Sequence, residues 1–337
     1  IAGLMKIVFL QSSSTSYSFL DYNESEVDSS IPSNCSLYLF GRALITRNIE
    51  LINSLYDLET VFVPKKLNFI SSIIKSTTDI PVEEIDENAY SKLMKSELRV
   101  SNKFEVSEKN DIENSTHHIQ QNALVTNNNL LFLPCNTVIG KRSSRKSIEY
   151  YKFQYPWEFL DIIQELLKSE VTFSIISNKA TIAKTAIIEG PCIIEDNVVI
   201  DDFAKIKGPS YIGNGSFIGM GSLIRNSMLD YNTNIGFNCE IGKTYFAGNA
   251  KISHHNVILD SIIGKNVWFG GYSGTANVLL TRKNVQYRIN NELLDTGRNH
   301  FGAVVSNNSS IGASVIILPG RKIPPHSIIP AGTIFSK

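Results

Sequence analysis

Two neighbouring histidines, His254 and His255, interrupt a long run of isoleucines and glycines in the stretch SHHN, 253–256. An imidazole changes protonation near neutral pH, so a histidine held in a rigid frame can take a proton from an attacking amine or hydroxyl. The bland alternative is a pair of turn residues facing water. His300 and His326 stand alone and read as structural, and His117 and His118 fall in a polar, aperiodic stretch that reads as a solvent-facing loop over 101–122. The four cysteines, Cys35, Cys135, Cys192 and Cys239, form no CxxC and no Cys/His ligand cluster, so no metal site is expected.

Composition narrows the chemistry. The 337 residues carry 32 Lys plus Arg against 32 Asp plus Glu, so no global field favours nucleic acid or an acidic membrane surface. A small-molecule partner is the expectation. No apolar run reaches membrane-spanning length, the dispersed cysteines suit a reducing cytoplasm, and IAGLMKIVFL lacks the basic and apolar regions of a signal peptide. Met5 reads as the natural first residue, and residues 1 to 4 are set aside.

The histidines sit in a repeat. Of the 21 glycines only Gly3, Gly41 and Gly140 precede residue 176. Beyond that border isoleucine recurs every six residues at Ile176, Ile182, Ile188, Ile194, Ile200, Ile206, Ile212, Ile218 and Ile224. Four residues after each of the first eight comes a compact side chain: Ala180, Ala186, Cys192, Val198, Ala204, Ser210, Ser216 and Ser222. This spacing predicts a parallel β-helix, in which three hexapeptides make one coil and stacked coils bury every sixth aliphatic side chain in a column. The ladder slips near Leu229, resumes at Ile235 and Ile241, slips again, and continues through Ile252, Ile258, Ile263 and Phe269. It returns at Val305, Ile311, Ile317, Ile323 and Ile329. Between these blocks lies a loop excursion, 276–303, with an expected hairpin around Asn290 and Asn291.

The first half reads as α/β: KIVFL and ETVFVP as strands, ALITRNIELINSL and LNFISSIIK as helices, and hence a parallel sheet. YPWEFLDIIQELLKSE opens with a proline suited to a first helical turn and places Leu160, Ile163 and Leu167 on one face, predicting a helix that joins two domains. The expected division is an α/β domain over 5–150, a connecting helix over 151–172 and a β-helix over 173–337.

An α/β domain, a YPW helix and a hexapeptide β-helix in this order resemble the archaeal sugar-1-phosphate nucleotidylyltransferase/amino-sugar-1-phosphate acetyltransferase family, relatives of bacterial N-acetylglucosamine-1-phosphate uridyltransferases. The resemblance covers 150–337 well and 5–149 more weakly. It implies a left-handed β-helix, a homotrimer and acetyl-CoA as cosubstrate. It also implies a general base at His254, where the family's Pro-His-Leu-Ser-Tyr falls on SHHNV. By the same matching Asn277 would orient groups near the transferring acetyl, and Lys283, Arg225 and Lys243 would hold the sugar phosphate. DTGRNHFGA (295–303) repeats a loop of the archaeal members, in which Arg298 is a candidate anion contact.

The chain departs from that pattern at telling places. The family tyrosine after the base is Val257, the asparagine of its NIGAG motif is Trp268, that motif's second glycine is Tyr272, and a phosphate-binding lysine falls on Gly242, beside Lys243. Trp268 and Tyr272 would contact cofactor or substrate, or pack against a neighbouring chain. In the first half the family's glycine-rich phosphate loop is replaced by QSSSTSYSFLDYNESEVDSS, without glycine or cation. The reading is therefore a reduced, degenerate nucleotidyltransferase-like (Rossmann-like) domain fused to a left-handed parallel β-helix. The expected function is acetyl-CoA-dependent N-acetylation of an amino-sugar-1-phosphate. Two alternatives are a catalytically silent relative that binds a ligand or regulates a partner enzyme, and a nucleotidylyltransferase of a sugar-1-phosphate.

Overall fold

The computed structural model describes residues 5–10, 38–55, 58–65, 68–86, 88–89, 120–122, 130–134, 137–140, 149–153, 155–289 and 291–336. The chain divides into two compact units, one holding the α/β elements up to Gln154 and the other holding Tyr38–Gly41 and Tyr155–Lys337. His117, His118, Cys35 and Cys135 lie outside the described residues.

In the first unit four parallel strands lie in the order Val82–Ile85, Leu58–Pro64, Met5–Leu10, Leu130–Pro134. The helices Leu44–Leu55 and Asn68–Thr77 form where apolar residues recur at helical spacing, and the first buries Ile45, Ile49 and Ile52. Within the stretch expected to be loop, Gln120–Asn122 is a strand paired antiparallel with Glu149–Lys152. A short polar strand shows no apolar alternation from which to read it.

The second unit is a parallel β-helix of hexapeptide repeats, left-handed, with three sheets of eight strands each. Register confirms the columns. Ile194 pairs with Ile212 and then Leu229, Ile200 with Ile218 and then Ile235, and Ile206 with Ile224 and then Ile241. The slip near Leu229 is the loss of one residue per coil: Tyr211 stacks under Met228, Met228 under Tyr245 and Tyr245 under Ile262. Isoleucine suits these positions because a β-branched side chain fits the pleat, and each one fully buried is worth roughly 1.5–3 kcal/mol. In the third column Thr275 takes the place of an aliphatic residue, and it is buried because its Oγ1 meets Ser261 Oγ at 2.9 Å.

Each coil turns three times, and most of the bends carry a left-handed residue. The first bend uses Asn232, Asn249, Asn266 and Asn308 at φ 51–59°. Asparagine tolerates that region, and here its amides also link coils, Asn249 to Asn266 at 2.5 Å and Asn266 to Asn308 at 2.8 Å. The second bend instead carries Phe203, Asn238, His255 and Tyr272 at φ 54–59°.

The helix Pro156–Glu170 covers the outer face of the first sheet, where Tyr211, Met228, Tyr245 and Ile262 are all buried. Phe159 meets Tyr245 edge-on at 5.0 Å, and Gln164 Nε2 donates to Asn226 O at 3.0 Å. The excursion 276–303 folds its hairpin, Gln286–Ile289 against Glu292–Asp295, and packs Tyr287 and Phe301 onto Trp157 of the helix at 5.6 and 6.3 Å.

One buried charge departs from this apolar plan. Asp230 is fully buried and accepts N–H bonds from Tyr231 at 2.8 Å and Gly41 at 3.1 Å. Burial pushes its carboxyl up to about 6, opposed by those two bonds and by Lys265, while Glu195 adds to the rise. A folded value above the unfolded one means that Asp230 favours folding fully below the unfolded pKa, and that this contribution is lost as pH rises through about 6. A urea-denaturation comparison of wild type with Asp230→Asn at pH 4.5 and 7.5 should show the variant gaining roughly 1–3 kcal/mol relative to wild type at the higher pH.

Candidate functional site

The second bend is where side chains of chemical interest converge. At a spacing of 17 residues the coils superimpose Met220, Phe237, His254 and Gly271 in one column, with Asn238, His255 and Tyr272 beside it. The His254 imidazole is held from behind. The Phe237 N–H donates to His254 Nδ1 at 3.0 Å, and a Cβ on Gly236 would stand 2.9 Å from that same nitrogen. Glycine at 236 is what lets the ring lie against the backbone. On the next coil Gly271 contributes no side chain to the column, and the His254 side chain is exposed.

The bend itself is braced by Asn256, fully buried in the place taken by Ser222, Cys239 and Ser273 on other coils. Its Nδ2 donates to Ser253 O at 2.9 Å and to His254 O at 3.3 Å, and its Oδ1 accepts from the Ser273 N–H at 2.9 Å. Tyr272 N–H also donates to His254 O at 3.0 Å. Beneath the turn, burial raises the pKa of the Cys239 thiol, whose Sγ lies 3.0 Å from Ser253 O, so the group is a packing element and not a nucleophile.

Around His254 the surface is aromatic and apolar. His255 stacks on Tyr272 at 4.8 Å and 15°, and Phe237 meets His255 edge-on at 5.1 Å. Tyr272 is 66% exposed, Trp268 45%, Val257 45% and Phe237 41%, so a continuous apolar edge faces outward here. Asn238 Nδ2 lies 3.3 Å from His255 Nδ1, which turns that ring into the bend's own hydrogen bonding.

The expected phosphate-binding groups lie elsewhere, on the third bend. Arg225 spends its Nε and Nη2 on Glu240 Oε1 at 3.1 and 2.9 Å. The guanidinium lies over Gly242, where a Cβ would stand 2.8 Å from its central carbon. Lys243 is exposed at the left-handed position directly after it. Asn277 donates to Asp260 Oδ2 at 2.6 Å, and its carbonyl accepts the Phe301 N–H at 2.9 Å, closing the base of the excursion. One complete face of the coil, Val257–Leu259, separates His254 from Asp260 and Asn277.

The other two basic candidates are on the excursion. Lys283 is exposed. Arg298 is ion-paired with Asp161 of the helix Pro156–Glu170, and burial pulls its pKa down from the ordinary value. The anion that Arg298 meets is thus within its own chain. Among the described residues no group of three or more His, Cys, Asp or Glu side chains converges on a possible metal position, and no described helix is long and apolar enough to cross a membrane.

Residues 191–226 match the family described as bacterial transferase hexapeptide (six repeats). Over 88 residues the chain is 31% identical to a bifunctional sugar-1-phosphate nucleotidylyltransferase/acetyltransferase of Sulfurisphaera tokodaii, covering 26% of this chain and 22% of that protein. Over another 88-residue alignment it is 36% identical to the bifunctional protein GlmU of Methanococcus aeolicus, covering 26% of this chain and 21% of that one. The matched stretch therefore spans about a fifth of the length of these curated relatives. Among solved structures, a UDP-N-acetylglucosamine acyltransferase aligns with 48% of this chain and 70% of its own at 15% identity and a TM-score of 0.28.

The braced turn makes a direct demand on Asn256. Replacing it with alanine leaves the Ser273 N–H buried without its acceptor, and Asn256→Ala should lose roughly 1–3 kcal/mol of stability in urea denaturation. Asn238→Gly, on the exposed side of the same bend at φ 54°, keeps a residue that tolerates the left-handed corner and should stay within about 0.5 kcal/mol of wild type.

Proposed function

We propose that this chain is an acyltransferase of sugar-nucleotide metabolism that moves the acetyl group of acetyl-CoA onto the amine of an amino-sugar phosphate, with the second bend as its reaction centre. The observation that carries the reading is the His254 imidazole, fixed by a backbone N–H on one ring nitrogen and open on the other, beside a column position emptied by Gly271. The hexapeptide match and the named acetyltransferase relatives support it. Trp268 and Tyr272 would border the acyl donor or the acceptor, and Val257 removes the polar contact that a tyrosine would offer the sugar.

A single copy holds His254 on one edge of the prism and Arg225, Lys243 and Asn277 on another. If both sets serve one small substrate, the third bend must come from a second copy. We therefore place the working site between subunits of a homotrimer in the cytoplasm, with the exposed Lys243 and Lys283 as phosphate contacts and Arg225 shared with Glu240. The α/β unit is read as a reduced nucleotidyltransferase-like domain.

A second reading is a catalytically silent relative that holds a sugar nucleotide or regulates a partner enzyme. The engagement of Arg225 by Glu240 and of Asn277 by Asp260 favours it. Nucleotidyl transfer itself draws no support from a first strand followed by a segment without glycine or cation.

Free thiol released from acetyl-CoA in the presence of glucosamine-1-phosphate or galactosamine-1-phosphate tests the first reading. His254→Ala should lower the rate by about 10²-fold or more. No release with any amino sugar, together with no acetyl-CoA binding by calorimetry, would leave the second reading in its place. The shared site has its own signature: His254→Ala and Lys243→Ala chains, each impaired alone, should recover part of the activity when co-expressed, because mixed trimers contain interfaces with both native residues.

A further inference from the structure

A base and a hydrogen-bond donor make opposite demands on a histidine, and the geometry at the second bend meets only one of them. To accept a proton at Nε2, a neutral imidazole must carry its hydrogen on Nδ1, which calls for a carbonyl or carboxylate facing Nδ1. What faces Nδ1 of His254 is a donor, the Phe237 N–H at 3.0 Å. The Nδ1 lone pair is therefore occupied, and the hydrogen of the neutral ring resides on Nε2, the nitrogen turned away from that backbone.

Further contacts keep the ring from trading this arrangement for the other. Gly236 lies so close that a Cβ would stand 2.9 Å from Nδ1. The His254 carbonyl is pinned by the Tyr272 N–H at 3.0 Å and by Asn256 Nδ2 at 3.3 Å. The carbonyls near the turn are already engaged, Ser253 O by Asn256 Nδ2 and Phe237 O by the His255 N–H at 2.9 Å.

We propose that His254 works as a hydrogen-bond donor through Nε2–H, aimed at a carbonyl oxygen of the bound ligand, and not as a general base. Within the acetyl-transfer reading on which this part rests, that oxygen belongs to the thioester. The neutral amine attacks the carbonyl carbon, a C–N bond forms, and the C=O pair moves onto oxygen, where Nε2–H stabilises the negative charge. The oxyanion then collapses, the C–S bond breaks with its pair on sulfur, and the proton shed by nitrogen ends on the thiolate to give free thiol. No proton has to reside on the histidine at any step. Preorganised donors of this kind act where charge develops and need no reorganisation during the reaction.

The chain has 6 histidines, so the tautomer can be read directly by two-bond nitrogen–proton correlation spectra of the full chain labelled with [15N]histidine, with His254→Ala supplying the assignment. The expected result is a His254 ring with hydrogen on Nε2 and a bare Nδ1, whereas hydrogen on Nδ1 overturns the proposal. Activity gives the second arm. In His254→Gln the side-chain amide places an N–H near the position of Nε2, and this variant should keep acetyl transfer within about tenfold of wild type. His254→Asn and His254→Ala should lose about 10²–10³-fold. A folded His254→Gln, with unchanged melting temperature, that is as inactive as His254→Ala also overturns the donor role. Wild type that shows the Nε2–H form yet acetylates no amine supports the donor geometry and removes the acetyl-transfer reading instead, so the two failures are told apart.

Discussion

Vertical register is the constraint on which the rest of the β-helix unit depends. Each coil hydrogen-bonds to the next through two- and three-residue strands, so a residue lies over another 17 or 18 positions earlier in the chain. That period does two things at once. It gathers aliphatic side chains into three dry columns, and it lines up whatever the bends carry into three continuous edges. The interior is thereby fixed by six-residue spacing, while the edges remain free to differ from one another. They do differ: one is an asparagine ladder, one is aromatic with histidine, and one holds paired charges and the root of the excursion.

The excursion shows how a rigid solenoid supports an irregular segment. Between Ile262 and its neighbour Val304 the chain leaves the coil and returns in register. It is tied down by Asn277 on Asp260 at its base, by Tyr287 and Phe301 on Trp157, and by Arg298 on Asp161. The loop DTGRNHFGA is thus explained in large part by anchoring. Loops of this kind carry function best when most of their backbone is held in place, and here the short run with Leu280, Arg282 and Lys283 is exposed, as is the hairpin tip at Asn291, Glu292 and Leu293.

Much of the architecture was legible in the sequence because it depends on periodicity. The isoleucine ladder, its one-residue slips, the hairpin in the excursion and the helix after Tyr155 all follow from spacing and turn chemistry, which act locally. The site was legible only in part. His254 stands out by type, but its neighbours Phe237 and Gly271 become visible only when the 17-residue period is counted through the bend. Asn256 reads as one more polar turn residue until its three hydrogen bonds are seen. Arg225 and Asn277 read as ligand groups because their carboxylate partners, Glu240 and Asp260, lie 15 and 17 residues away, a full coil or nearly so. The direction of the Phe237 N–H toward Nδ1 is a property of backbone geometry that no residue pattern encodes.

The second bend is also the one least explained by stability. Asparagine or glycine meets the left-handed φ of a coil corner with little strain, and the first bend uses them almost throughout. Phe203, His255 and Tyr272 hold φ of 57–59° with bulky side chains, at about 1–3 kcal/mol of backbone strain each. The stacked and edge-on contacts of Phe237, His255 and Tyr272 recover about 0.5–1.5 kcal/mol per pair. That offsets part of the strain at His255 and Tyr272. Phe203 and Tyr272 remain largely exposed and His255 is half-buried, so burial does not make up the difference. A surface held against strain, apolar, and centred on a histidine held by its own backbone fits the binding role proposed for it. With Val257 offering no hydroxyl, recognition at this edge falls to ring faces and to one N–H, which suits a ligand presenting a carbonyl oxygen beside an apolar arm.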